Sequence, residues 1–118
     1  MSRDCVDIYN PKTIRSTMGA IYRMPFLIAE DLPEMIRQLK KKKIGVYAAH
    51  LDGKNTYDQE NYAGGCAFLI GNEGNGLRQE VADCADTWIR IPMAGQVESL
   101  NAAVASAVLM FEVSRQRR

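Results

Sequence analysis

Apolar runs of strand length recur along this chain, each followed by a segment with helical spacing or by a polar turn, and few folds accommodate that alternation. Residues 25–30, Pro-Phe-Leu-Ile-Ala-Glu, read as a buried strand. The next segment, 31–43, opens with Asp31 and Pro33, closes on four lysines, and sets Leu32, Met35, Ile36 and Leu39 on one face, so a helix is expected there. Residues 44–51, 66–70 and 87–93 read as further strands, the last stopped by Pro92. Between the final two, 76–85 has a helical pattern, and 99–117 has that of a long helix for which Ser99 is a good N-cap, a role its hydroxyl could fill in place of a functional one. Nearer the N-terminus a short strand is expected over 5–9, followed by a helix with Asn10 as N-cap and Pro11 in its first turn. The polar, glycine- and asparagine-rich stretch 52–65 reads as loop. Together these elements predict an α/β fold, a mostly parallel sheet covered by helices on both faces, with ligands bound beyond the carboxyl ends of the strands. Three loops should meet there: 49–53, 71–76 and 92–98.

The chain of 118 residues is 47% apolar and 25% charged, which suits one soluble domain over residues 1–118. No apolar stretch is long enough to cross a membrane and the N-terminus lacks the layout of a signal peptide, so the expected location is cytoplasmic, with no membrane partner. Cys5, Cys66 and Cys84 have no C-x-x-C spacing, and His50 is the one histidine, so no metal site is expected and the thiols read as reduced and partly buried. A net charge of +1 gives no global attraction to nucleic acid, but Lys40 to Lys43 and the tail Arg115, Arg117 and Arg118 are local basic clusters.

Two loops carry the chemistry. In "FLIGNEGNGL", residues 68–77, Gly71 directly after an apolar run admits a second backbone or a planar ligand at close range, while Gly74 and Gly76 suit positive φ. The stretch is neither a G-x-G-x-x-G fingerprint nor a phosphate loop, and Glu73 would repel phosphate, so a ligand without a phosphate chain fits it better. In "IRIPMAGQVESLNAAVA", residues 89–105, Asn101 is expected in the first helical turn, where asparagine has no propensity advantage, so its amide needs a partner. The last helix is apolar over much of its circumference from Ala102 to Val113, which predicts burial on more than one side, in part by a second subunit.

These two loops, in this order, resemble the second and third signature motifs of the SpoU (TrmH-type) RNA 2′-O-ribose methyltransferases. "VDIYNPKTIRSTMGAIYRMPF" and "AAHLDG" extend the resemblance upstream, so it covers nearly the whole chain. It implies a parallel α/β sheet with a deep C-terminal trefoil knot, a homodimer, and S-adenosylmethionine bound in the knotted loops, with S-adenosylhomocysteine as product. By position, the cofactor cradle falls on the backbone of Ala49, Gly71, Asn72, Ile91, Met93 and Leu100. Glu73, Ser99 and Asn101 match the functional side chains that organise the active site and the target ribose. Lys12 and Arg15 match basic positions suited to RNA phosphate, the RNA being structured rRNA or tRNA.

The resemblance also implies an N-terminally incomplete catalytic domain, because the family's first motif, with N-x-G-x-x-x-R character and the arginine usually assigned as base, has no match here. "MGAIYR" imitates it, but Arg23 falls in a later segment and reads as an ordinary helix-terminal arginine. His50 reads as structural or pocket-lining. Two functions follow: methyl transfer to a ribose 2′-hydroxyl, or a non-catalytic module that binds S-adenosylmethionine or RNA and keeps the knotted fold and dimer surface.

Overall fold

Strand β1 (Gly45–Ala49) is interior to the molecule's sheet, paired with a strand on either side, and Val46 and Ala48, which share one of its faces, have no solvent exposure. Small and β-branched side chains at these positions let layers pack closely on a parallel sheet. The computed structural model describes residues 1–72, 74–96 and 99–118, and these form two compact units, Met1–Met35 and Ile36–Arg118.

In the first unit, α1 (Pro11–Ser16) begins as its sequence predicts: the Asn10 side chain accepts the Lys12 N–H at 2.9 Å, and Pro11 occupies the first turn, where its missing donor is harmless. A 3₁₀ turn follows at Ala20–Tyr22. Neither strand expected in this unit forms. Residues 5–9 are turn and irregular chain, and of 25–30 only Ala29 takes part in a bridge, with Ser2. The ladder is confined to the Ala29 N–H on the Met1 carbonyl and the Met1 amino group on the Leu27 carbonyl, both 2.8 Å. Phe26, Leu27 and Ile28 stay exposed, so the expected burial of this run is corrected. Helix α2 (Leu32–Lys41) forms as predicted, with the Asp31 carboxylate accepting the Glu34 N–H at 3.2 Å at its start.

The second unit contains the sheet. Strands β2 (Asn55–Thr56), β3 (Cys66–Leu69) and β4 (Thr87–Arg90) join β1 in the order β2-β4-β1-β3, all parallel. The parallel α/β sheet with flanking helices is thus the predicted one. Strand β2 was hidden in the stretch read as loop; it is two residues long and exists by pairing with Ile89 and Arg90, not by its own composition. Helix α3 is only Gln79–Ala82, because Gly76 to Arg78 remain extended or turned, and α4 is Ala102–Gln116. Tyr62, fully buried, packs edge-on against Tyr47 and Phe68 at ring separations of 5.0 and 5.3 Å and donates its hydroxyl to the Tyr57 carbonyl. Burial pushes its phenol far above the usual range.

The C-terminal end of α4 is fastened to the chain around Tyr62. Gln116 accepts the Tyr62 N–H at 2.7 Å and donates to the Glu60 carbonyl at 2.8 Å, while Arg117 donates to the Tyr62 carbonyl at 3.0 Å. Glu112, buried one turn earlier, accepts two hydrogen bonds from Arg115 at 2.7 and 2.8 Å and one from Gln116 at 2.9 Å. These bonds pull its carboxyl from 4.5 down to about 2. A depressed folded pKa stabilises the protein above the unfolded value, and that contribution disappears as pH falls from 4.5 towards 2. Glu112→Gln should therefore melt below wild type at pH 7, with the gap smaller at pH 3 and closing only below about pH 2. Melting curves at both pH values check this, and a gap independent of pH contradicts it.

Within the single chain Leu109 and Glu112 are the buried residues of α4, whereas Val104, Met110 and Phe111 face solvent, as a side covered by a second subunit would. Cys66 and Cys84 are partly buried free thiols, and Cys5 is exposed. No helix among the described residues is long and apolar enough to cross a membrane.

Candidate functional site

The register of the parallel sheet aligns the carboxyl ends of its strands: Ala49 stands opposite Ile89, and Ala48 opposite Leu69. Chain leaving these ends surrounds a cavity of about 720 Å³. Its described wall comes from Ala49–Leu51 at the end of β1, from Ile70–Asn72 and Gly74–Leu77 after β3, and from Ile89–Met93 at the end of β4. Ser99, Leu100, Ala102 and Ala105 close it at the start of α4. The volume suits a small-molecule site, and most of the lining is apolar side chain and main chain.

Gly71 is required by the loop itself. A Cβ there would lie 2.2 Å from the carbonyl carbon of Gly76 and 2.3 Å from the Leu77 nitrogen, so the loop's two limbs touch at this glycine. Of the two partners the sequence leaves open for Gly71, the structure supplies a second backbone. Gly76, with φ of 66°, turns the chain back, its N–H on the Asn72 carbonyl at 3.0 Å. The Asn72 side chain accepts the Asn75 N–H at 2.7 Å, so it holds the loop closed and leaves main-chain groups to line the cavity.

The six positions expected to cradle a cofactor, Ala49, Gly71, Asn72, Ile91, Met93 and Leu100, all line this cavity, and so does Ser99. Glu73 lies outside the described residues. Asn101 is not part of the cavity wall; it is the N-cap of α4, its oxygen accepting the N–H groups of Ala103 at 2.9 Å and Val104 at 3.3 Å. The capping role open to Ser99 in the sequence is corrected: α4 starts two residues later, and the asparagine does the capping. The amide partner sought for Asn101 is thus the helix backbone, and its N–H₂ is the group left to offer a ligand. Asn101→Ala should cost about 1 kcal/mol of stability through the lost cap, whereas Asn101→Asp should retain it, which thermal melts of both variants check. Equal stability of Asn101→Ala and wild type contradicts the cap.

Lys12 and Arg15 lie exposed on α1 in the Met1–Met35 unit. Arg23 follows the 3₁₀ turn there as its C-cap. Three polar wall residues had no assigned ligand role in the sequence, His50, Asn75 and Arg90. His50 was legible as pocket-lining; Arg90 carried no signal beyond its place at a strand end. Among the described residues, no three His, Cys, Asp or Glu side chains group as a metal site.

Residues 1–111 match the model of the SpoU rRNA Methylase family. The chain is 33% identical over 108 residues to the 23S rRNA (guanosine-2′-O-)-methyltransferase RlmB of Ralstonia nicotianae, covering 92% of this chain and 43% of that protein. Its fold superimposes on the SpoU methyltransferase AviRb from Streptomyces viridochromogenes, solved in complex with AdoMet, with a TM-score of 0.89 at 28% identity over 98% of this chain and 46% of AviRb. An AdoMet-bound rRNA methyltransferase from Sinorhizobium meliloti gives a TM-score of 0.84 at 32% identity, over 97% of this chain and 44% of that one. The chain therefore spans less than half the length of these relatives.

Proposed function

The chain belongs to the SpoU rRNA Methylase family, and on that premise we propose that it forms the S-adenosylmethionine-binding part of an RNA methyltransferase acting on a ribose 2′-hydroxyl of rRNA or tRNA. The observation that carries this reading is the single cavity wall shared by all six cradle positions and Ser99. The residues present fit the cofactor. Ile70, Leu77, Ile89, Ile91 and Met93 give an apolar wall for the flat base, the main chain of the 71–77 loop gives donors and acceptors, and no phosphate loop is needed.

When bound, S-adenosylmethionine supplies an electrophilic methyl group and leaves as S-adenosylhomocysteine. The chain's part is to hold that ligand still. The self-closed 71–77 loop and the β1 and β4 ends fix its position before RNA arrives, and the rate gain expected of such alignment is large. Ser99, Asn101 and Glu73 are assigned to the ribose side, where Ser99 offers a hydroxyl in the cavity wall and Asn101 an amide N–H from a capped helix start. Removal of the 2′-hydroxyl proton adds roughly 10²- to 10⁴-fold and is assigned to no residue of this chain.

Lys12 and Arg15 are assigned to RNA phosphate, so binding should weaken as salt rises. Exposed Val104, Met110 and Phe111 on α4 support a homodimer through that helix. The C-terminal trefoil knot belongs to the same reading, as does the assignment of residues 1–118 to one catalytic domain, and the activity is that of the protein carrying this chain. Tritiated methyl transferred from S-adenosylmethionine to an rRNA or tRNA transcript should resist alkaline hydrolysis within a dinucleotide, the signature of a blocked 2′-hydroxyl. Label recovered only in mononucleotides would place the methyl on a base and contradict the proposal.

A further inference from the structure

The cavity wall at the ends of β1 and β4 includes His50, directly after β1, and Arg90, the last residue of β4. Ala49 is in register with Ile89, and the His50 N–H donates to the Ile89 carbonyl at 2.9 Å. The turn that follows is pressed onto β4. The Gly53 N–H reaches the His50 carbonyl at 3.0 Å, and a Cβ on Gly53 would lie 2.5 Å from the Ile89 carbonyl carbon, so nothing larger than glycine fits. Arg90 donates to the Gly53 carbonyl at 3.1 Å, which fixes its guanidinium while engaging one of its five N–H groups.

The imidazole is held as firmly. Its ring stacks on Trp88 with centroids 4.1 Å apart and planes 24° from parallel, and the indole N–H is itself anchored on the Ala82 carbonyl at 2.8 Å. His50 Nδ1 accepts the Asp52 N–H at 3.1 Å. A backbone N–H can only donate, so Nδ1 carries no proton and the neutral ring keeps its proton on Nε2. The wall therefore contains an imidazole with a defined donor nitrogen and a fixed guanidinium. The Asp52 carboxylate, 3.9 Å from Nδ1, is largely in solvent and is not part of the wall.

Arg90 is the one arginine or lysine among the described wall residues, and none of those residues is an aspartate or glutamate. S-adenosylmethionine carries two positive groups, its sulfonium and its ammonium, and one negative group, its α-carboxylate. A cationic, donor-rich wall repels the first two and attracts the third. We propose that His50 and Arg90 bind the α-carboxylate of the cofactor's amino-acid half and so set which end of the ligand lies at the β1 and β4 ends. The proposal rests on the reading of this cavity as the cofactor site.

The test is calorimetric titration of S-adenosylmethionine and of 5′-methylthioadenosine, which lacks the amino-acid half, into wild type, His50→Asn and Arg90→Gln. Asparagine can still accept the Asp52 N–H but has no group at the position of Nε2. Each variant should lose about tenfold or more in affinity for S-adenosylmethionine, the loss expected for a hydrogen bond to a charged group. Binding of 5′-methylthioadenosine should be unchanged, which also reports an intact cavity. Equal losses for both ligands, or no loss for S-adenosylmethionine, overturn the carboxylate assignment while the cofactor reading stands. A wild-type chain that binds neither ligand overturns the cofactor reading and this assignment with it.

Discussion

Gly71→Ala should abolish S-adenosylmethionine binding and lower the melting temperature. The added methyl would stand 2.2 Å from the Gly76 carbonyl carbon and 2.3 Å from the Leu77 nitrogen. Both are main-chain atoms, so no side-chain rotation relieves the clash and the limbs of the 71–77 loop must separate. Overpacking of this kind costs roughly 1–3 kcal/mol in stability. The functional loss is larger, because Gly71, Asn72, Gly76 and Leu77 all belong to the cavity wall. Gly64 is the matched control, since a Cβ there meets nothing within 4 Å, and Gly64→Ala should bind as wild type does. Calorimetric titration with parallel thermal melts checks both, and wild-type affinity in Gly71→Ala contradicts the closed-loop account of the site.

Leu109→Glu should prevent folding. Leu109 is fully buried on α4, and an unpaired carboxylate at such a position costs several kcal/mol, a large part of the roughly 5–15 kcal/mol that stabilises a typical domain. Phe111, two residues on, is 75% exposed, so Phe111→Glu should leave the melt of a single chain nearly unchanged. In the proposed homodimer it should instead shift the mass in solution from dimer to monomer. Circular dichroism separates the first effect and light scattering the second. A folded Leu109→Glu chain contradicts the packing of α4, and a dimeric Phe111→Glu chain contradicts the use of this face.

The contrast between these two residues also shows where sequence reading stops. The apolar run 102–113 identifies α4 as a helix, but only tertiary packing decides that Leu109 is covered and Phe111 is not. Helix α2 and the Asn10 cap of α1 were legible because their signals are local: a face repeating every three or four residues, and a side chain that reaches a neighbouring N–H. Strand β1 was legible as a continuous apolar run, buried on one face and half-buried on the other. The run 25–30 looks equally strand-like yet remains exposed with a single bridge, while polar β2 is a strand through its pairing with β4.

The site was legible to the same degree. Its loops announce themselves through glycine and proline, and the cradle positions follow from a motif resemblance, but their convergence depends on the register of β1, β3 and β4. Ser99 and Asn101 are both good capping residues two positions apart, and composition alone does not choose between them. The stacking of His50 on Trp88 and the bond from Arg90 to Gly53 join residues up to 38 positions apart along the chain, beyond the reach of periodicity.

Titration of S-adenosylmethionine into the 118-residue chain tests the central claim most directly. The cavity at the strand ends, with its self-closed loop and apolar wall, predicts saturable binding at one site per chain. A chain that is folded by circular dichroism yet gives no binding heat at millimolar ligand would contradict it.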